Sequence, residues 1–329
     1  MATADQIKAL IKSHAEGDDA RFFAVAMQMA AHAARQGKSR FADELRQLVD
    51  RAKSDQDGSR RRTKPVPMVQ PRGELSGLLS AGYPSTRLPD MVLDQSVRNK
   101  LERVVLEHRQ QERLRAHGLA PRRKLLLIGA PGTGKTMSAA ALAGELHFPL
   151  FTILLHGLMT KFMGETAAKL RLIFDAIAET RAVYLFDEFD ALGGDRSAEN
   201  DVGEIRRVLN SFLQFLEQDD SDSLIVAATN HPQLLDRALW RRFDDVIRFE
   251  LPSPGRAIET MQSRLARFDT KSVRWEELAR ECQGLSYADI VGACEHAAKL
   301  AVLDERICID PAELASALRE RAASHTGRA

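Results

Sequence analysis

Eight consecutive residues constrain this chain more than any others. They are Gly129-Ala130-Pro131-Gly132-Thr133-Gly134-Lys135-Thr136, which fit G-x-x-x-x-G-K-[ST] at every position. The apolar run Lys124 to Ile128 before them predicts a strand, and Met137 to Leu146 after them reads as a helix. A glycine-rich loop in that context turns backbone N–H groups toward phosphate oxygens at the positive end of a helix. Lys135 supplies a point charge for β- and γ-phosphates, and the Thr136 hydroxyl is placed to ligate Mg²⁺.

Four more apolar runs follow that first one. They are Leu150–Leu154, Val183–Phe186, Leu224–Ala228 and Val246–Phe249, and helical periodicity such as Leu170, Ile173, Phe174 and Ile177 separates most of them. Alternation of that kind predicts an α/β unit with a parallel sheet and helices on both faces. The third run ends in Asp187-Glu188, within VYLFDEFDAL. An apolar strand ending in acids completes a phosphate-loop site: Asp187 holds Mg²⁺, and Glu188 polarises the attacking water. The fourth run ends in Thr229-Asn230. The Asn230 amide can reach a γ-phosphate if its strand lies beside the loop strand; otherwise it is an ordinary turn residue.

The remaining segments set domain boundaries at 1–53, 54–89, 90–252 and 253–329. Residues 3–53 read as three short amphipathic helices, marked by Ile7, Leu10 and Ile11, then Phe22, Val25 and Met29, then Phe41, Leu45 and Leu48. Such a small unit forms a marginal bundle alone. Residues 54–72 carry three prolines and the run Arg60-Arg61-Arg62, which reads as a linker. After Pro252-Ser253-Pro254 the strand signals stop, and the rest reads as helices. Cys282, Cys294 and Cys308 match neither a zinc clip nor a disulfide framework and read as buried reduced thiols. A net charge of +1 gives no electrostatic case for nucleic acid. No secretory or membrane-spanning segment is visible, so a cytoplasmic location is expected.

Taken together, GAPGTGKT, VYLFDEFDAL, VAATN, LDRALWRRFD and GLSYADI resemble the AAA ATPases over about 90–320. The resemblance implies a five-stranded parallel sheet of order 5-1-4-3-2, a helical lid and a hexameric ring with ATP and Mg²⁺ between subunits. It implies nucleotide contacts at Pro131, Gly132, Thr133, Gly134, Lys135, Thr136, Met137, Asp187 and Ala288. Catalytic roles would fall on Glu188, Asn230, Arg241 and Arg242. The two arginines match the family's fingers, which act on a neighbouring subunit's ATP. The family often spaces its finger arginines further apart, so which of the two acts stays open. Ala288 stands where more distant relatives have a lid arginine, and Tyr287 where the family often has glycine. Tyr287 either presses on the adenosine or packs in the lid.

The segment His156–Thr166 matches the loop that lines the pore in protein-remodelling members, with Lys161, Phe162, Met163 and Gly164 as the gripping residues. The expected activity is ATP-driven unfolding or translocation of protein substrates. The alternatives are a nucleic-acid motor or loader, and an ATP-controlled assembly switch. No protease motif such as H-E-x-x-H or G-x-S-x-G occurs in the chain. The helical N-terminus followed by one ATPase module resembles bacterial AAA proteins encoded beside a subtilisin-like serine protease. Such pairs are associated with anti-phage defence and plasmid maintenance.

Overall fold

A computed structural model of the chain describes residues 71, 73–158, 163–190, 202–235 and 237–326. The helical unit read at 1–53 and the linker read at 54–72, except residue 71, lie outside them. Six strands form one sheet: β1 (Leu79–Gly82), β2 (Lys124–Gly129), β3 (Leu150–Ile153), β4 (Val183–Phe186), β5 (Leu224–Thr229) and β6 (Asp245–Phe249). Their order is β1-β3-β4-β5-β2-β6. The pair β1–β3 is antiparallel and the other four pairings are parallel. The expected five-stranded, all-parallel sheet is therefore corrected to a six-stranded mixed one, with β1 beyond β3 at the edge. The parallel strands lie side by side as β3-β4-β5-β2-β6.

The continuous apolar runs arise because the central strands are covered on both faces. Along β2, Leu125 and Leu127 enter one core, while Leu126 and Ile128 enter the other. In β4, Val183 and Leu185 alternate with Tyr184 and Phe186 in the same way. The helices around the sheet are α1 (Gln95–Arg109), α2 (Gln111–Arg115), α3 (Lys135–Leu146), α4 (Leu155–Leu158), α5 (Met163–Glu179), α6 (Val202–Gln218) and α7 (Arg237–Trp240). Helices α1 and α3 cover one face through Leu101, Val104, Ala139 and Leu142. Helices α5 and α6 cover the other through Ile173, Phe174, Phe212 and Leu216. There Phe212 packs edge-on to Phe186 and close to Phe189, with ring centroids 5.0 and 4.7 Å apart, on either side of Asp187-Glu188.

An ion-pair network ties the strand ends opposite the glycine-rich loop. Arg123 donates to Asp219 Oδ2 at 2.5 Å, to the Asp219 carbonyl and to the Ser221 carbonyl. Only 15% of the Arg123 side chain and 3% of the Asp219 side chain are exposed. Asp244 Oδ2 accepts the backbone N–H groups of both Arg123 and Lys124.

Beyond β6 the chain is helical among the described residues: α8 (Pro254–Arg264), α9 (Trp275–Glu281), α10 (Tyr287–Leu303) and α11 (Pro311–Thr326). These helices share their own core, built on Met261, Leu278, Ile290, Ala297 and Leu314. Ser286 and Asp289 make a reciprocal capping box at the start of α10, so the turn before it is held at both ends. Cys282 and Cys294 are buried in that core, and burial pushes the Cys282 thiol up to about 11. Cys308 is exposed, which corrects the expectation of three buried thiols. Among the described residues no helix is long and apolar enough to cross a membrane.

Candidate nucleotide site

The glycine-rich loop leaves β2 at Gly129 and enters α3 at Lys135. Gly129 is forced by proximity: a Cβ there would run into the Phe249 backbone of the neighbouring strand β6. Gly132 has φ +74, and a Cβ on it would collide with the Ser286 side chain of the helical unit. Lys135 is buried, and its ammonium donates to the carbonyls of Gly129 and Ala130, both at 2.8 Å. Its third bond, at 2.7 Å, goes to Asn230 Oδ1. That contact exists because β5 pairs directly with β2, placing Thr229 opposite Ile128. Burial holds the Lys135 ammonium below the usual lysine range, against the opposing pull of Asp187 and Asp190. A cation kept among three oxygen acceptors in this way is pre-positioned to receive phosphate oxygens.

The acids at the end of β4 face the start of α3. The Thr136 hydroxyl donates to Asp187 Oδ2 at 2.7 Å, while Asp187 Oδ1 accepts the Glu188 N–H at 3.0 Å. Glu188 is exposed and has φ +50, a conformation that costs a non-glycine residue energy and that concentrates at working sites. Among the described residues no group of three or more His, Cys, Asp or Glu side chains is arranged so that it could hold a metal ion by itself. A cation at Thr136 and Asp187 would therefore take its remaining ligands from phosphate and water. That is how Mg²⁺ is usually bound, so this oxygen pair fits the ion.

The helical unit closes the site from above. The Ala288 N–H donates to the Gly132 carbonyl at 3.1 Å, so one unpaired donor in the first turn of α10 is satisfied by the loop itself. Beside this contact lies a cavity of about 330 Å³, lined in part by Met91, Val92, Gly134, Met137, Tyr287 and Val291. Its mix of apolar walls and loop backbone suits a planar base. Tyr287 is half-buried there, and its hydroxyl is buried with no hydrogen-bond partner among the described residues. Burial pushes that phenol up to about 12.

Residues 125–251 match the profile of the ATPase family associated with various cellular activities (AAA). The chain is similar over its whole length to an uncharacterized AAA family ATPase, y4kL, of Sinorhizobium fredii. The two are 31% identical over 334 residues, covering 100% of this chain and 98% of the relative. The chain belongs to the AAA family of ATPases. It hydrolyses ATP. The ATPase is also similar to a proteasome-activating nucleotidase of Methanococcus maripaludis, 32% identical over 65% of this chain and 54% of the relative. An ATP-dependent zinc metalloprotease FtsH of Helicobacter pylori is 30% identical over 70% of this chain and 38% of the relative. The matched segments thus span about half of the nucleotidase and less of the metalloprotease.

Other residues singled out in the ATPase sequence lie on the loop, away from it or outside the described residues. Pro131 is exposed on the loop, and the Thr133 hydroxyl donates to the Ala130 carbonyl at 2.7 Å. Arg242 is ion-paired with Glu217 at the end of α6. Arg241 is exposed and has no ion pair among the described residues. Lys161 and Phe162 lie outside the described residues, while Met163 and Gly164 form the start of α5. The stretch expected as a loop at 156–166 is therefore corrected: its two ends are helical, in α4 and from Met163 onward. Leu155 and Leu158 are buried and anchor α4, and Glu165 in the first turn of α5 suits a helix N-terminus. Sequence reasoning missed Asp190, whose Oδ1 accepts the Thr229 hydroxyl at 2.8 Å and the Asn230 N–H at 3.3 Å. The only signal for it was an acid three residues beyond Asp187.

Proposed function

We propose that this ATPase works as a ring, a hexamer by its family resemblance, and converts Mg-ATP hydrolysis into pulling on protein chains. The observation that carries the ATP-site part is the convergence of Lys135, Thr136, Asp187 and Asn230 from three neighbouring strand ends. In this reading the ammonium of Lys135 moves from Asn230 to the β- and γ-phosphates. Asn230 then turns its amide toward the attacking water, and Glu188 accepts that water's proton on its carboxylate. Mg²⁺, held by Thr136 and Asp187, supplies positive charge against the phosphates when bound. Arg241 or Arg242 of one subunit reaches the γ-phosphate of the next.

The protein substrate is supported by two things. Two relatives have names tied to proteolysis, as a proteasome-activating nucleotidase and as an ATP-dependent metalloprotease. The segment that joins α4 to α5 and runs into the start of α5 carries Lys161-Phe162-Met163-Gly164, whose aromatic–aliphatic pair can grip any sequence through non-directional contact. The net charge of +1 offers nothing comparable toward nucleic acid. A separate subtilisin-like protease, working with this ATPase in a bacterial defence module, is the narrower form of the proposal. It rests on the likeness of the N-terminal segment.

The test is ATP turnover with and without unfolded casein, and with and without DNA or RNA. Casein should accelerate turnover several-fold, nucleic acid should not, and Phe162→Ala should remove the acceleration. Acceleration by nucleic acid alone, or by casein equally in Phe162→Ala, would overturn the protein-pulling reading.

A further inference from the structure

The turn after β5 is held partly from outside itself. Thr229 is completely buried, and its hydroxyl accepts the His231 N–H at 3.0 Å. That hydroxyl spends its own proton on Asp190 Oδ1, which also accepts the Asn230 N–H. A single carboxylate oxygen therefore gathers the side chain of one residue and the backbone of the next. Past that clamp, the Asn230 amide must present its oxygen to Lys135, because an ammonium only donates. A continuous path of hydrogen bonds then runs from Asp190 through Asn230 to Lys135 and the loop carbonyls of Gly129 and Ala130. Asp190 itself sits two residues beyond Glu188, on the same short segment that leaves β4.

We infer that Asp190 is a positioning residue for hydrolysis, fixing where the Asn230 amide points and thereby where the attacking water is held. This rests on the reading of Asn230 given above. Asp190 touches no phosphate in this scheme; it acts through the turn. Two donors at the end of a buried strand, the Thr229 hydroxyl and the Asn230 N–H, converge on the one oxygen Asp190 Oδ1. Removing the carboxylate frees the turn to rotate while Lys135 keeps its two carbonyl contacts. ATP binding should persist and the chemical step should slow. Asparagine keeps a carbonyl oxygen where Asp190 Oδ1 lies, so it can accept the same two hydrogen bonds without the charge.

The experiment is a double-mutant cycle on steady-state ATP hydrolysis with full-length protein. It uses Asp190→Ala, Asn230→Ala, the double variant and Asp190→Asn, with thermal melting to confirm folding. Asp190→Ala should lower kcat about tenfold or more with KM within about threefold. The double variant should be no slower than Asn230→Ala within about threefold, because the two residues act in series. Asp190→Asn should regain most of kcat. Full kcat in Asp190→Ala, or losses that multiply in the double variant, would overturn the inference while leaving the role of Asn230 intact. A fully active Asn230→Ala would overturn both, since Asp190 would then have no amide to position. A failure of Asp190→Asn to recover activity would show that charge, not the two hydrogen bonds, is what Asp190 supplies, and would also overturn it.

Discussion

The Thr136 hydroxyl donates to Asp187 Oδ2 at 2.7 Å, so the start of α3 and the end of β4 are already in contact through two oxygens. Glu188 follows directly, with its backbone N–H on Asp187 Oδ1 and its side chain exposed. The candidate metal-binding carboxylate of Asp187 and the candidate base Glu188 thus share one short segment but point to different tasks.

That division predicts separable losses. Glu188→Gln should retain ATP affinity within a few fold and lose about 10²–10⁴ in kcat, because an amide cannot take the water's proton. Lys135→Ala should lose nucleotide binding itself. Titration with a fluorescent ATP analogue, alongside phosphate release, separates the two. Equal turnover in Glu188→Gln and unmutated protein would remove Glu188 from the base role.

The two arginines after α7 should not contribute equally. Arg242 is held by Glu217 of its own chain, whereas Arg241 is exposed with no ion pair among the described residues. Arg241→Ala should therefore cost the larger share of the ~10³–10⁵ that such arginines supply. The Arg242–Glu217 pair is exposed on both sides and holds Arg242 by ~1 kcal/mol or less, so Arg242→Ala should cost less but not nothing. Mixing Arg241→Ala with Lys135→Ala chains should restore some turnover at mixed interfaces. No recovery in mixed rings confirmed by mass measurement would contradict action between subunits.

Stability should respond to the buried pair at the other end of the sheet. Asp219→Ala leaves the Arg123 guanidinium without its carboxylate in a site where only 15% of that side chain is exposed. The expected cost is about 3–5 kcal/mol in urea unfolding. The exposed pair Arg115–Asp222 is the internal control, and Asp222→Ala should cost about 1 kcal/mol or less. Equal effects of the two variants would show that burial does not set the value of the Arg123 pair.

Much of this architecture is legible in the amino-acid order because its strands are unusual. Five apolar runs could be read as strands, and each lies within one residue of a strand in the structure, since burial on both faces of the central strands makes their sequences almost continuously apolar. The antiparallel strand Leu79–Gly82 was not legible. Its four residues, LSAG, lack both the apolar run and the alternation that mark strands, and its partner β3 lies some seventy positions away. The loop lysine and Asp187-Glu188 announce themselves by motif. The contact between Lys135 and Asn230 depends on β5 lying beside β2, which local pattern does not encode. Asp190 and the Arg242–Glu217 pair depend likewise on which turns and helix ends the fold brings together.

The hydrogen bond from Ala288 to Gly132 ties the helical unit to the glycine-rich loop. Its donor sits in the first turn of α10, a rigid rod of 17 residues whose far end is Leu303. At the usual helical rise such a rod is about 25 Å long, so a tilt of about 10° at the loop would carry its tip about 4 Å. In the proposed ATP site the phosphate loop would thus also serve as a fulcrum, and small rearrangements of the Gly132 peptide would be magnified at the exposed side chains of Val302 and Leu303.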